Sequence, residues 1–242
     1  MLRIAAYASG STGNCYTVSN GETTVMLDCG LPFGRIQRET GFKLPDAVFI
    51  THEHNDHAKA AKDFMRRGVD VYMTAGTADA LDLGEEHRKH ILEPGEGTHV
   101  GSIYVYAFET EHDAQEPCGF LLDDREDRLL YATDTYYLRY KFPGLTKLLI
   151  EANHSYKIIR ENVKAGILNS KLADRLMKSH FSLENLLDFF EANDLSKVKE
   201  IWLIHLSERN ADAGAFQQAI ESATGLPVYI AQRGGGAHAH HD

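Results

Sequence analysis

The chain has 242 residues, 43% of them hydrophobic, and a formal net charge of −10 from 25 basic and 35 acidic side chains. A chain of this length holds one large domain or two small ones, and it buries roughly three-quarters of its unfolded surface, so it needs no covalent staples. Three cysteines without a CxxC pair fit a reducing compartment, the acidic balance argues against nucleic-acid binding by bulk charge alone, and the 13 histidines are the feature to explain.

In chain order, Leu2–Tyr7, Cys15–Val18 and Val25–Asp28 read as strands separated by glycine-rich loops. Ala47–Thr51 is a compact β-rich run with the look of a buried strand. The spacing of Ala58, Ala61, Phe64 and Met65 predicts a helix from His57 to Arg67. Val69–Met73 reads as a strand, with Gly76–Leu83 and Glu85–His90 as short helical pieces. Ser102–Phe108, Gly119–Leu122 and Leu129–Thr133 are further strands, the last two joined by a polar turn at Asp124–Asp127. Lys147–Glu151 is a buried strand, and helical pattern dominates from Tyr156 to about Asn193. Ile201–His205 (strand), Asp212–Ala223 (helix) and Val228–Ala231 (strand) follow.

Strands and helices interleave throughout, which predicts an α/β class. No linker or solenoid-period repeat appears, so residues 1–231 are expected to form one domain. Residues 232–242 form a low-complexity tail that carries three of the histidines. No signal-peptide pattern opens the chain, and no apolar run approaches the ~18 residues of a membrane span. A cytoplasmic protein without membrane contact is the expectation.

The densest chemistry lies in Thr51-His52-Glu53-His54-Asn55-Asp56-His57, directly after the Ala47–Thr51 strand. Imidazole and carboxylate together suit zinc, manganese or iron. Residues two apart in extended chain project to one side, so His52 and His54 can reach one ion. Asp56 and His57, at the turn into a helix, can reach another. Neither pair completes a shell. His112, Asp134 and His205 each end a predicted strand, where active-site loops of α/β proteins gather, and are the candidates to complete it.

HxHxDH followed in order by a His, an Asp and a final His resembles the metallo-β-lactamase fold superfamily over most of residues 1–231. The resemblance implies a four-layer αβ/βα sandwich with two facing mixed sheets and two divalent ions, Zn²⁺ or Mn²⁺. It implies that His52, His54 and His112 hold the first ion, that Asp56, His57 and His205 hold the second, and that Asp134 bridges them. Such a pair makes a bridging hydroxide available as nucleophile, which Asp56 would orient.

Further motifs sharpen the resemblance. They are Gly10-Ser11-Thr12-Gly13-Asn14-Cys15, Met26-Leu27-Asp28-Cys29-Gly30, His112 to Phe120, Ala132-Thr133-Asp134-Thr135, Glu151-Ala152-Asn153-His154, Ser179-His180-Phe181-Ser182 and Ile204 to Asn210. In combination they resemble the WalJ/YycJ-like branch, similar to DNA exonucleases and RNase Z-like phosphodiesterases. The chain departs from the family pattern at Ala58-Lys59-Ala60, at Tyr136 in place of a glycine, and at the missing glycine before His180. These positions border the expected pocket.

The resemblance implies a metal-dependent hydrolase of phosphodiesters. A DNA exonuclease is the first reading. A phosphodiesterase for a small cyclic or nucleotide substrate is the alternative, and a metal-binding protein without turnover is a third, disfavoured because every ligand position is filled. The resemblance also implies an additional histidine that contacts the scissile phosphate or protonates the leaving oxygen, and His180, before a helix cap at Ser182, is the candidate for it. Glu151, Asn153 and His154 are expected to organise the ligands or the substrate. Lys157, Arg160, Lys164, Lys171, Arg175 and Lys178 recur at spacings that share one face if the stretch is helical, a possible track for a phosphate backbone. His87, His90 and His99 belong to no motif and are expected at the surface.

Overall fold

The computed structural model describes residues 1–84 and 87–231. The tail at 232–242 and the first two residues of the expected Glu85–His90 helix lie outside the described residues. Among the described residues the strands fall into two mixed sheets of six and seven strands. The chain divides into two compact units: Met1–Glu109 with Ala114–Arg128, and Thr110–Asp113 with Leu129–Ala231.

In the first unit, β1 (Arg3–Ala8), β2 (Cys15–Ser19) and β3 (Thr24–Cys29) pair antiparallel. β3, β4 (Ala47–Phe49), β5 (Asp70–Met73) and β6 (Lys89–Ile91) then pair parallel. Parallel strands covered on both faces read as unbroken apolar runs. Val25, Met26 and Leu27 are accordingly all fully buried. β3 ends in Asp28-Cys29 ahead of Gly30 and β4 leads on to Thr51-His52, so the sheet's parallel half delivers the histidine-rich loop. β7 (Gly97–Val100), β8 (Ile103–Glu109) and β9 (Cys118–Asp123) form an antiparallel meander.

The expected His57–Arg67 helix is two pieces, α2 (Asn55–Ala58) and α3 (Ala61–Arg66). The Ala60 N–H donates to Cys29 O at 3.0 Å instead of continuing the helical ladder. The histidine loop is thereby tied to the end of β3. α1 (Phe33–Glu39) was not apparent from the periodicity, because its seven residues bury only Phe33 and Ile36. It packs Phe33 edge-on against Phe64 of α3, centroids 5.0 Å apart. α4 (Ala75–Ala80) matches the expected Gly76–Leu83 piece. The described part of the expected Glu85–His90 helix is instead turn and β6, because Lys89–Ile91 pairs with Val71–Met73.

In the second unit, β10 (Arg128–Ala132), β11 (Lys147–Glu151), β12 (Glu200–Ile204) and β13 (Val228–Ile230) are all parallel. The register places Ala132 opposite Ile150 and Glu151 opposite Ile204. Asp134, Glu151 and His205 thus emerge at one level, at the strands' C-terminal ends, where α/β sheets carry their ligands.

The helical stretch 156–193 is three helices, α5 (Tyr156–Lys164), α6 (Ser170–Ser179) and α7 (Leu183–Ala192). Gly166, at φ 71°, breaks the first from the second. Asn169 and Ser182 side chains cap α6 and α7 by accepting from the Lys171 and Asn185 N–H groups. α8 (Ala213–Thr224) starts at Asp212, which accepts from Ala215 N, and ends at the left-handed Gly225. Among the described residues no helix is long and apolar enough to cross a membrane.

Candidate metal centre

In the first unit the chain leaves β4 extended, and the side chains of His52 and His54 fall on one side. His52 Nε2 and His54 Nδ1 lie 3.0 Å apart, as the alternation predicts. The other nitrogen of His52, Nδ1, meets Thr51 Oγ1 at 3.0 Å. α2 then turns His57 inward, fully buried, while Asp56 stays partly exposed.

His57 Nδ1 donates to Asp28 Oδ2 at 2.7 Å. Asp28 is itself fully buried and accepts from Thr51 N and Thr51 Oγ1, at 2.9 and 3.0 Å. A buried carboxylate needs such partners. It also fixes the tautomer of His57: with Nδ1 protonated, the lone pair sits at Nε2, the form a metal takes. Asn14 Nδ2 meets that Nε2 at 2.9 Å, and Asn14 N donates to Asp56 O at 2.7 Å. Gly30 is obligatory here, since a Cβ on it would lie 1.7 Å from Asp56 O. The glycine and asparagine motifs of the N-terminal region therefore serve to hold the backbone of residues 56 and 57.

In the second unit, His112 Nδ1 donates to Ser179 O at 2.8 Å. His205 Nδ1 lies 2.9 Å from Glu151 Oε1 and 3.0 Å from Asp134 Oδ1. Glu151 Oε1 also takes His180 Nδ1 at 2.7 Å, and its Oε2 accepts from Thr135 N and Phe181 N, both at 3.1 Å. Donor atoms of Asp134, Glu151, His180 and His205 all lie within 4.8 Å of one another. His52, His57, His112 and His205 share one feature: Nδ1 is engaged by an oxygen, which leaves Nε2 as the nitrogen able to take a metal. Imidazoles backed in this way, beside aspartates, suit a divalent ion.

Three of the six described non-glycine residues with positive φ lie here. Asp28, Asp134 and His205 hold φ of 55°, 49° and 52°. Non-glycine residues persist there only when their surroundings over-determine them. Asn153 supplies part of that constraint, its Nδ2 donating to His205 O at 2.9 Å.

Electrostatics separate the buried groups. Burial alone would raise the pKa of Glu151, but the charge and hydrogen bond of His180 and the bond from His205 hold it below the usual carboxylate range. Burial works against protonation of His180, yet the adjoining Glu151 carboxylate outweighs it and raises the pKa. Burial lowers His112. Burial also lowers His154, to about 4.

The expected helpers divide. Glu151 engages the rings of His180 and His205, and Asn153 the His205 carbonyl. His154 is fully buried against the Tyr156 ring, and neither ring nitrogen has a hydrogen-bond partner among the described residues. The six basic residues are all exposed but do not share one helix face, because Gly166 splits them between α5 and α6. Arg175 is paired with Asp113 at 2.6 Å. His87 and His99 are exposed as expected, whereas His90 is half-buried and bonded to Asp70 at 2.9 Å. Asp28 and Asn14 carried no role in the sequence reading. A carboxylate inside the apolar run of β3 was the available signal.

A β-lactamase superfamily domain model matches residues 23–205. The chain belongs to the metallo-β-lactamase superfamily. Among curated relatives it is 33% identical over 227 residues to exodeoxyribonuclease WalJ of Streptococcus pneumoniae, covering 86% of this chain and 83% of that protein. It is 27% identical to exodeoxyribonuclease YycJ of Bacillus anthracis, covering 86% and 84%. Among solved structures, the metallo-β-lactamase fold protein YhfI of Bacillus subtilis superposes with a TM-score of 0.76 at 14% identity, covering 98% of both chains. The expected fold family and WalJ/YycJ-like resemblance are both borne out. This metallo-β-lactamase-fold chain is a hydrolase with candidate metal-binding residues.

Proposed function

We propose that the chain is a dinuclear-metal DNA exonuclease, with residues 1–231 acting as one hydrolase domain. The observation that carries the reading is the 33% identity to exodeoxyribonuclease WalJ across 86% of this chain, together with histidines whose Nδ1 atoms are already engaged. In this reading His52, His54 and His112 hold one ion, Asp56, His57 and His205 hold the other, and Asp134 is shared. When bound, the ions supply Lewis-acid stabilisation of phosphate charge and an acidified water.

The chain's own groups do the rest. Asp28, Thr51, Ser179 and Glu151 orient the ligand imidazoles through Nδ1. Asp56 orients the attacking water. His180 is the proton donor to the leaving oxygen. Its Nδ1 is held by Glu151, which leaves Nε2 for the transfer, and the same carboxylate favours the protonated ring. The exposed lysines and arginine of α5 and the basic residues of α6 bind the phosphate backbone of the strand being degraded.

The test is a panel of end-labelled DNA and RNA, 5′-phosphorylated and 5′-hydroxyl, incubated with Mn²⁺ and with Zn²⁺. Stepwise release of nucleotides from DNA is expected. Turnover of a small phosphodiester with no release from any polymer would replace this reading with the small-substrate phosphodiesterase.

A further inference from the structure

The connection between β10 and β11 is unusual. The two strands are parallel and adjacent, a pairing ordinarily bridged by a helix. Here residues 133–146 make the crossing with no helix or strand. Irregular loops of this length inside a compact unit are uncommon and are usually functional.

This loop is pinned at several points. Thr135 Oγ1 donates to Tyr137 O at 2.8 Å, and Glu111 N donates to Thr135 Oγ1 at 2.9 Å. Asn185 Nδ2 donates to Tyr136 O at 2.9 Å. Leu138 and Phe142 are buried, and Phe142 N donates to Asn193 Oδ1 at 3.0 Å. Between and beside these anchors the loop turns Tyr137, Arg139, Tyr140 and Lys141 outward, the tyrosines 48% and 39% exposed. Arg139 pairs with Glu111, the neighbour of His112. Asp134 is the second residue of this loop. One exposed tyrosine is ordinary surface. Two on a pinned, irregular loop, interleaved with two cations and continuous with a proposed metal ligand, form the aromatic-plus-basic surface on which unpaired bases stack.

We infer that Tyr137 and Tyr140, flanked by Arg139 and Lys141, are a stacking platform for unpaired bases of a single-stranded nucleic acid entering the metal centre. The inference rests on the nucleic-acid reading proposed above and adds to it the form of the substrate. Stacking is sequence-tolerant, since every base presents a π-face, so an exonuclease holding its strand in this way degrades without strong sequence preference. Rigid presentation matters because a pre-ordered loop loses little entropy on binding.

The experiment measures binding of phosphorothioate-linked single-stranded oligonucleotides to the Mn²⁺-loaded full chain by fluorescence anisotropy. Tyr137→Ala and Tyr140→Ala are expected to raise Kd by about tenfold or more each, while Tyr137→Phe and Tyr140→Phe keep the binding of the parent. Independently of any variant, an oligonucleotide with consecutive abasic sites should bind the unmodified protein correspondingly more weakly. Alanine variants that bind like the parent, or abasic strands that bind like intact ones, overturn the platform and leave the nuclease reading standing. Tighter binding of duplex than of single strand also overturns it. A parent protein that binds no strand and releases no nucleotide brings down the nuclease reading itself, and the platform with it.

Discussion

The carboxylate of Glu151 and the imidazole of His180 lie 2.7 Å apart in the interior of the second unit, and the same oxygen takes Nδ1 of His205 at 2.9 Å. Every lone-pair direction of Glu151 faces a donor, since Thr135 N and Phe181 N approach the other oxygen. Glu151→Gln therefore cannot be accommodated by an amide flip. Either the two histidines or the two backbone N–H groups would face an NH₂. Metal affinity should fall about 10–100-fold, in line with other losses of a ligand's supporting hydrogen bond. Competition with a chromophoric chelator measures this, and an unaltered metal dissociation constant would remove Glu151 from the ligand-positioning role.

Asp134 is expected to serve both ions. Asp134→Ala should abolish activity together with loss of bound metal, read by elemental analysis of protein purified without an affinity tag. It should not relieve the left-handed backbone at that position (φ 49°), because Asp tolerates that region better than Ala does. Full metal content in the variant would show that the shared ligand lies elsewhere.

His180→Ala separates catalysis from metal binding. His180 is not one of the proposed ligands, so metal content should persist. The rate should drop by about 10²–10⁴-fold, the usual worth of a positioned general acid. A variant that turns over like the parent would return His180 to a packing role against His112 and His205, whose rings lie 5.2 and 5.3 Å from its own.

What the sequence disclosed was the part written in local order. The HxHxDH run, the acidic or imidazole residues at the ends of β10, β11 and β12 and the alternation of strands with helices are all readable from neighbours along the chain. What it hid depends on partners distant in sequence. Asp28 supports His57 across 29 positions, and Ser179 supports His112 across 67. The break between α2 and α3 comes from the Ala60 bond to Cys29, which no periodicity records. The split of α5 from α6 was partly legible, because Gly166 stood in the pattern as a residue able to take a positive φ. His154 sat in a motif beside Glu151 and Asn153, yet neither nitrogen of its ring has a hydrogen-bond partner among the described residues.

The basic residues now divide by availability. Arg175 is engaged by Asp113, while Lys157, Arg160 and Lys164 are exposed on α5. Neutralising these three to Ala should weaken DNA binding and flatten its dependence on salt. Each lost phosphate contact on a single strand should lower the slope of log K against log salt by about 0.7. Anisotropy titrations across a range of NaCl concentrations give the slope. If affinity falls with the slope unmoved, these side chains do not contact phosphate.

Gly30 marks where β3 passes closest to the histidine loop. A Cβ at that position would meet Asp56 O at 1.7 Å, Asp56 C at 2.1 Å and His57 N at 2.8 Å. All three are backbone atoms, so no side-chain rotation relieves the overlap, and the Asp56–His57 segment has to move. Gly30→Ala should cost about 3 kcal/mol or more, at the upper end of overpacking substitutions. For a chain of this size each kcal/mol lowers Tm by roughly 2–4 °C. The displacement also pulls His57 from Asp28 and Asp56 from Asn14, so the second proposed ion should be lost before the first. Differential scanning fluorimetry gives the stability change. Metal titration distinguishes sequential from simultaneous loss, and a Gly30→Ala protein with parental Tm and two tightly held ions would show that the close approach of β3 does not set the geometry of the loop.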